Sequence, residues 1–260
     1  MHPRRGGEEI LGRLILPHLR EIYEDLSAAV LGADLLVTHP LPLVGPIVAE
    51  ACGVPWISSV LSPFSLFSAF DPPVGPRMPY LHRLLRLHPR LGGLFVWMAK
   101  GLTTPFVRPV YRLRADLGLP PGGHPLIEGQ HSPAGVLALF SSALAARQPD
   151  WPAGTEVTGF PFHDLRGRPA DPPELPSALQ RFLDAGPAPI VFTLGSAAVW
   201  VAKDFFEQGI AAAKALGRRA LLLVGDGRPP GSLPEGVASF DYAPYGRLLP
   251  HARLVVHHGG

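Results

Sequence analysis

Three turns in the second half of the sequence carry residue types suited to handling an anion. Pro189-Ile190-Val191-Phe192-Thr193-Leu194 is an apolar strand that ends on Gly195-Ser196. A glycine there permits close main-chain approach, and the serine offers a hydroxyl and an N–H to a diphosphate oxygen. The same dipeptide also reads as an ordinary turn with a helix cap. Arg253 to Val256 repeats the pattern, an apolar strand running into His257-His258-Gly259-Gly260, where main-chain N–H groups would face a phosphate. Between the two lies Phe240-Asp241-Tyr242-Ala243-Pro244-Tyr245-Gly246. An aromatic face in such a turn gains about 1 to 3 kcal/mol by stacking on a base, although Tyr242 and Tyr245 read equally as rings packed beneath a proline turn.

The first half offers a different chemistry. His39 ends the strand Leu35 to Thr38, at the edge where open sheets meet ligands, and it also fits a structural histidine. Trp56, Phe64, Phe67 and Phe70 follow in or after the next strand, among Pro63, Pro72 and Pro73. They suit the wall of an apolar pocket or a plain core.

Several chemistries are excluded. Neighbouring His257 and His258 on a strand would point to opposite faces, and neither HxH nor HExxH spacing occurs. No Asp-x-Asp pair is present to hold a nucleotide-bound divalent cation, so no metal and no cofactor is expected. Gly225-Asp226-Gly227 runs into Arg228-Pro229-Pro230, which is not a dinucleotide fingerprint, and no GxSxG elbow places a serine nucleophile. A net charge of +2 gives no argument for nucleic acid. The lone Cys52 excludes an internal disulfide and fits a reducing cytoplasm. Prolines 42, 46, 55 and 63 break the greasy stretch from Leu41 to Phe70, so no segment is expected to span a membrane.

The elements that must position these residues alternate. With 260 residues, 47% hydrophobic and 17% charged, the chain can bury one large or two modest cores, and its 32 Pro and 29 Gly fall singly between apolar runs. Glu8 to Val30 has helical spacing with a kink at Pro17. A strand at Leu35 to Thr38, a helix at Leu43 to Ala51 closed by Gly53, and a strand at Pro55 to Val60 give a βαβ order and hence a parallel sheet. Pro76 to Leu117 is helical, interrupted near Gly92-Gly93 and Pro105. Its eight basic residues (Arg77, Arg83, Arg86, Arg90, Lys100, Arg108, Arg112, Arg114) face only Asp116, which fits a solvated face or a peripheral contact with an anionic membrane. Strands follow at Val136 to Phe140 and Glu156 to Phe160, and the breaker-rich run from Pro161 to Pro176 reads as a linker. Beyond it the alternation restarts, with strands at Ile190 to Leu194, Arg219 to Val224, Val237 to Phe240 and Arg253 to Val256, and a helix at Lys203 to Leu216.

Taken in order and spacing, Gly195-Ser196, Tyr242-Ala243-Pro244, Leu248-Leu249-Pro250 and His257-His258-Gly259-Gly260 resemble the donor half of family 1 glycosyltransferases of the GT-B fold. Ala33 to Pro40, Val54 to Ser58 and Val157 to Pro161 look like the acceptor-side domain of bacterial members. The resemblance implies an α/β protein with two Rossmann-like βαβ domains facing each other. Residues 1–164 would be the acceptor-side domain lacking its first strands, 165–173 the linker, and 174–260 the first half of the donor-binding domain. It implies inverting, metal-independent transfer of a sugar from a UDP- or dTDP-linked donor to a hydroxyl of a small apolar or lipid acceptor. Tyr242 would stack on the base with Ala243 beside it, Gly195 and Ser196 would form the phosphate-side turn, and His258, Gly259 and Gly260 would start the diphosphate loop. Tyr245 stands where plant members carry Gln. His39, Trp56, Phe64 and Phe67 would line the acceptor pocket. The family's Gly-rich turn with its acceptor-activating base has no counterpart before Glu8, and the rest of the donor loop has none after Gly260. The expectation is therefore an inactive fragment with no catalytic residue of its own. A non-catalytic binding remnant and a nucleotide-sugar epimerase of the same fold remain alternatives.

Overall fold

A computed structural model describes residues 9–73, 79–161, 174–195, 198–202, 204–225, 227 and 231–258. The chain divides into two compact units, Met1–Pro161 and Phe162–Gly260. Each holds a four-stranded sheet in which all pairings are parallel. The expected linker lies outside the described residues.

In the first unit the chain enters through a wide helical stretch at Ile10–Ile15 and a tight turn at Leu16–His18, then settles into an α-helix at Leu19–Ala29. Pro17 accounts for the change, because its ring removes a donor and crowds the carbonyl four residues back. Strands β1 (Leu36–Thr38), β2 (Trp56–Val60), β3 (Val136–Ala138) and β4 (Thr155–Val157) lie side by side in chain order. The helix Gly45–Cys52 joins the first two and stops at Gly53, whose φ of 67° is the left-handed conformation that ends helices. This sheet buries hydroxyls as well as apolar groups. Ser59 Oγ donates to the Thr38 carbonyl at 2.8 Å, Ser132 Oγ to the Trp56 carbonyl at 2.6 Å, and the Ser132 N–H to Ser58 Oγ at 3.0 Å.

Between β2 and β3 the chain makes a long excursion through helices Pro79–Leu85, Pro89–Thr103 and Arg108–Asp116. The expected break at Gly92-Gly93 does not occur, and the helix runs through it. A Cβ on Gly92 would stand 1.9 Å from the Ala69 carbonyl oxygen, so this glycine serves a close approach of helix and loop. The interruption falls earlier, where His88 Nδ1 accepts the Arg90 N–H at 3.1 Å and Pro89 occupies the first helical position. Nor are the basic residues of this stretch opposed only by Asp116. Arg114 is buried on Glu50 and donates to the Pro120 carbonyl at 2.6 Å. Lys100 pairs with Glu128 at 2.9 Å and Arg86 with Asp71 at 3.6 Å. Arg83, Arg90, Arg108 and Arg112 stay exposed, and Arg77 lies outside the described residues.

The second unit opens with a helix at Ser177–Asp184 that sequence spacing did not single out. Strands β5 (Ile190–Thr193), β6 (Ala220–Leu223), β7 (Val237–Phe240) and β8 (Leu254–Val256) lie in the order β7-β6-β5-β8. Every residue of β5 and β6 is buried, as a central parallel strand covered on both faces requires. The helix Phe205–Ala215 crosses β5 closely, and a Cβ on Gly209 would meet the Phe192 ring at 2.8 Å. Arg219, just before β6, lies 4.0 Å over the Phe182 ring and donates to the Phe182 and Pro187 carbonyls, the latter at 3.1 Å.

Candidate functional site

In the second sheet the chain steps outward from β5 to β6 and β7, then returns to place β8 on the other side of β5. Crossovers that leave in opposite directions open a crevice at the carboxyl ends of the two strands where the order reverses. Here those strands are β5 and β8, and a cleft of about 510 Å³ lies there, lined among others by Thr193, Gly195, Tyr245, His257 and His258. The Gly195 N–H donates to His258 Nδ1 at 3.4 Å, so the turn after β5 and the turn after β8 meet. A Cβ on Gly195 would stand 3.0 Å from the imidazole, and only a residue without a side chain leaves that ring in place. Thr193 is the single hydroxyl-bearing residue of β5 and sits at its carboxyl end, where its Oγ1 shares a 2.8 Å hydrogen bond with the Tyr245 hydroxyl. That bond fixes the ring against the cleft.

Of the donor-side residues read from the sequence, Gly195 and His258 come together. Ser196, Gly259 and Gly260 lie outside the described residues. Among the described residues after Gly195, no long helix starts before Phe205. The Gly195 carbonyl accepts the N–H groups of Ala198 and Val199, forming a single turn at Ala198–Val201 before the helix Phe205–Ala215. Ala243 is 1% exposed and packs its methyl among Leu179, Leu183 and Leu248, which leaves only its main chain to a ligand. Tyr242 is half-buried, and the ring that lines the cleft is Tyr245, at the start of the turn Tyr245–Leu248. Thr193 and Tyr245 are the residues that spacing passed over as a pair. The signal was a polar residue closing an otherwise apolar strand.

Of His39, Trp56, Phe64 and Phe67, two line the cavities described in the first unit, His39 one and Phe67 another. His39 follows β1, accepts the Leu41 N–H on Nδ1 at 3.2 Å, and lines a cavity of about 500 Å³ with Ile22, Asp25, Thr38 and Pro42. Thr38 Oγ1 is buried there without a partner among the described residues. Phe67 lines another cavity, of about 440 Å³, with Lys100, Glu128, His131 and Asp150. Phe64 leans on Phe67 with ring centroids 5.7 Å apart, and Trp56 begins β2. The second cavity is charged. Burial pushes the Glu128 carboxyl up, but the Lys100 ammonium and the Glu128 and His124 main-chain N–H groups outweigh it and hold it below the usual glutamate value. Burial holds His131 below the ordinary histidine value against the opposing pull of the Ser65 carbonyl and Glu128. His131 Nε2 donates to that carbonyl at 3.1 Å, while Nδ1 is buried without a partner among the described residues. No group of three or more metal-ligating side chains occurs among the described residues.

No family model matches the sequence. Among curated proteins the chain is 33% identical over 252 residues to O-mycaminosyltylonolide 6-deoxyallosyltransferase of Streptomyces fradiae, covering 93% of this chain and 54% of that protein. It is 27% identical over 257 residues to a sterol 3-beta-glucosyltransferase of Arabidopsis thaliana, covering 95% of this chain and 37% of the relative. The chain thus spans about half or less of the length of these relatives. Among solved structures it shares its fold with the glycosyltransferase SnogD from Streptomyces nogalater, at a TM-score of 0.53 and 19% identity over 98% of this chain and 60% of that one. It also matches glycosyltransferase VinC, solved in complex with dTDP, at a TM-score of 0.50 and 18% identity over 100% of this chain and 60% of the other.

Proposed function

We propose, from the premise that this chain belongs to the family 1 glycosyltransferases of the GT-B fold, that the whole protein moves a sugar from a UDP- or dTDP-linked donor to a hydroxyl of a small apolar or lipid acceptor. The observation that carries the reading is the meeting of Gly195, Tyr245 and His258 at the β5/β8 crevice. In this reading the diphosphate lies against the Gly195 turn and His258, where main-chain N–H groups stabilise the charge that grows on the leaving group. The base stacks on an aromatic ring of the 242–245 turn. The first unit supplies the acceptor side, with His39 and the Phe64–Phe67 pair as its candidate contacts, and residues 174–260 supply the first half of the donor side. The mechanism is inverting and independent of added metal. No residue of this chain is assigned as the base.

We place the protein in the cytoplasm, in peripheral contact with an anionic membrane face through the stretch from Arg77 to Arg114. Four exposed arginines of that stretch, which form no ion pair among the described residues, support this contact. Isothermal titration of the chain with UDP and with dTDP tests the donor reading. Micromolar binding that His258→Ala weakens about tenfold, the equivalent of about 1.4 kcal/mol, supports it. Absence of binding to either nucleotide sinks it and favours a remnant.

A further inference from the structure

The helix Pro89–Thr103 carries apolar side chains on an exposed side as well as on the side it buries. Its inner side carries the buried Gly92 with the half-buried Phe95, Val96 and Ala99. Its outer side carries Leu91, Leu94, Met98 and Leu102, at spacings of three, four and four, with Trp97 beside them. These side chains are 38, 53, 46, 81 and 70% exposed in that order. The preceding helix and its turn extend the same character, with Tyr80 at 84%, Leu84 at 53% and Leu87 at 74%. A contiguous set of exposed apolar side chains on one helix and the turn before it marks an interaction site. None of these side chains lines the cavities that hold His39 or Phe67.

Charge decides what covers it. Arg83 and Arg90 are exposed within one turn of Leu87 and Leu94 and have no ion pair among the described residues. Arg86 is only loosely held by Asp71 at 3.6 Å. Leucine and tryptophan on one face with arginines at its margin is the composition of a helix lying in the plane of a bilayer. Tryptophan and arginine settle at the headgroup level while leucine reaches the acyl boundary. We propose that the outer face of Pro89–Thr103, with Tyr80, Leu84 and Leu87, inserts into the acyl boundary of an anionic bilayer with its axis parallel to the surface. This rests on the membrane contact proposed above and adds insertion to it. For an enzyme with a lipid acceptor, such insertion would deliver the acceptor from the membrane to the first unit.

Trp97 reports on this directly. The complete chain is mixed with vesicles of phosphatidylcholine alone, or of phosphatidylcholine with phosphatidylglycerol, in low salt and in about 1 M salt, where the Debye length is about 3 Å. Insertion predicts flotation with the anionic vesicles that survives the high salt. It also predicts quenching of tryptophan emission by brominated acyl chains that Trp97→Phe abolishes. Leu94→Glu combined with Met98→Glu should lower vesicle binding by at least about tenfold, with the thermal melting curve and the nucleotide titration unchanged. Flotation that salt abolishes, without quenching, overturns insertion and leaves the electrostatic contact standing. No flotation with either vesicle overturns both. Self-association without lipid that the double variant removes would assign the face to a second copy and overturn the proposal. Nucleotide binding is scored separately, so the glycosyltransferase reading stands or falls on its own.

Discussion

The two sheets have the same number of strands and the same parallel sense, yet only one of them builds a crevice from its topology. In the first, the strands follow one another across the sheet as β1-β2-β3-β4, and nothing reverses among the described residues. In the second, the order β7-β6-β5-β8 reverses at β5. The cleft with Gly195, Tyr245 and His258 opens at that reversal, as expected where two crossovers diverge. Of the two cavities described in the first unit, one lies between β1 and the helix Leu19–Ala29, and the other is bounded by helices and loops and holds an ion pair. The interiors differ in the same way. β5 and β6 are buried along their whole length, whereas the first sheet spends interior positions on Ser58, Ser59 and Thr155. The candidate site of the second unit thus follows from strand order together with motif content.

Four measurements would break or sharpen this contrast. The largest effect is expected from Leu222→Ala, which removes a fully buried side chain from β6 and should cost about 2–5 kcal/mol. Amide exchange should then accelerate in β5 to β8 with β1 to β4 unaltered, and equal acceleration in both sheets would show that the units are not independent. Gly92→Ala probes the other unit. Its Cβ has no room beside the Ala69 carbonyl, and a loss of about 3 kcal/mol is expected, read by urea unfolding, with nucleotide binding retained. Tyr245→Phe should cost about 1 kcal/mol by leaving the buried Thr193 hydroxyl unpaired. Adding Thr193→Val should recover most of it, and a double-mutant cycle without coupling would deny the pair its place in the cleft wall.

The slightest effect concerns pH. Burial lowers the His131 and His124 values in the folded chain, so below the ordinary histidine pKa of about 6.5 the unfolded chain takes up protons that the folded chain refuses. Stability contributed by these groups is present above about pH 6.5 and is lost as the pH falls towards their folded values. The unfolding free energy of the first unit, read by urea denaturation across that window, should fall with falling pH, and His131→Gln should flatten the profile. An unchanged profile would mean that the histidine next to Glu128 carries no linkage.

Much of the fold was legible because its strands are short apolar runs fenced by Pro and Gly. Ile190–Thr193 and Val237–Phe240 emerge within a residue of their expected bounds, and Gly53 ends its helix as read. Where reading went astray, a distant partner decided the matter. Gly92-Gly93 looks like a breaker until Ala69 is known to press on it. Arg114 looks like surface charge until Glu50, far away in sequence, is placed beside it. Ser177–Asp184 follows directly on Pro176, so its amphipathic spacing was lost in a breaker-rich tract. At the candidate site, the strand-then-glycine and strand-then-histidine pattern marked Gly195 and His258 as strand-end residues, and the structure brings their turns together. Which ring of the 242–245 turn faces the cleft was not legible, since it depends on how the chain bends at Pro244. His39 and Phe67 both follow the carboxyl ends of neighbouring strands, as their sequence positions imply, but which cavity each one lines depends on the helices packed beside them.

The excursion between Val60 at the end of β2 and Val136 at the start of β3 carries a consequence for how the molecule assembles. Closing so large a loop before any pairing energy returns is slow. β1 and β2 join through one short helix and should therefore form early, and the three intervening helices must coalesce before β3 can dock. During that interval the far side of β2 offers a row of unpaired amides to any neighbouring chain. Yield on refolding should accordingly fall with rising protein concentration, and the delay should shorten when the helices are stabilised rather than the strands.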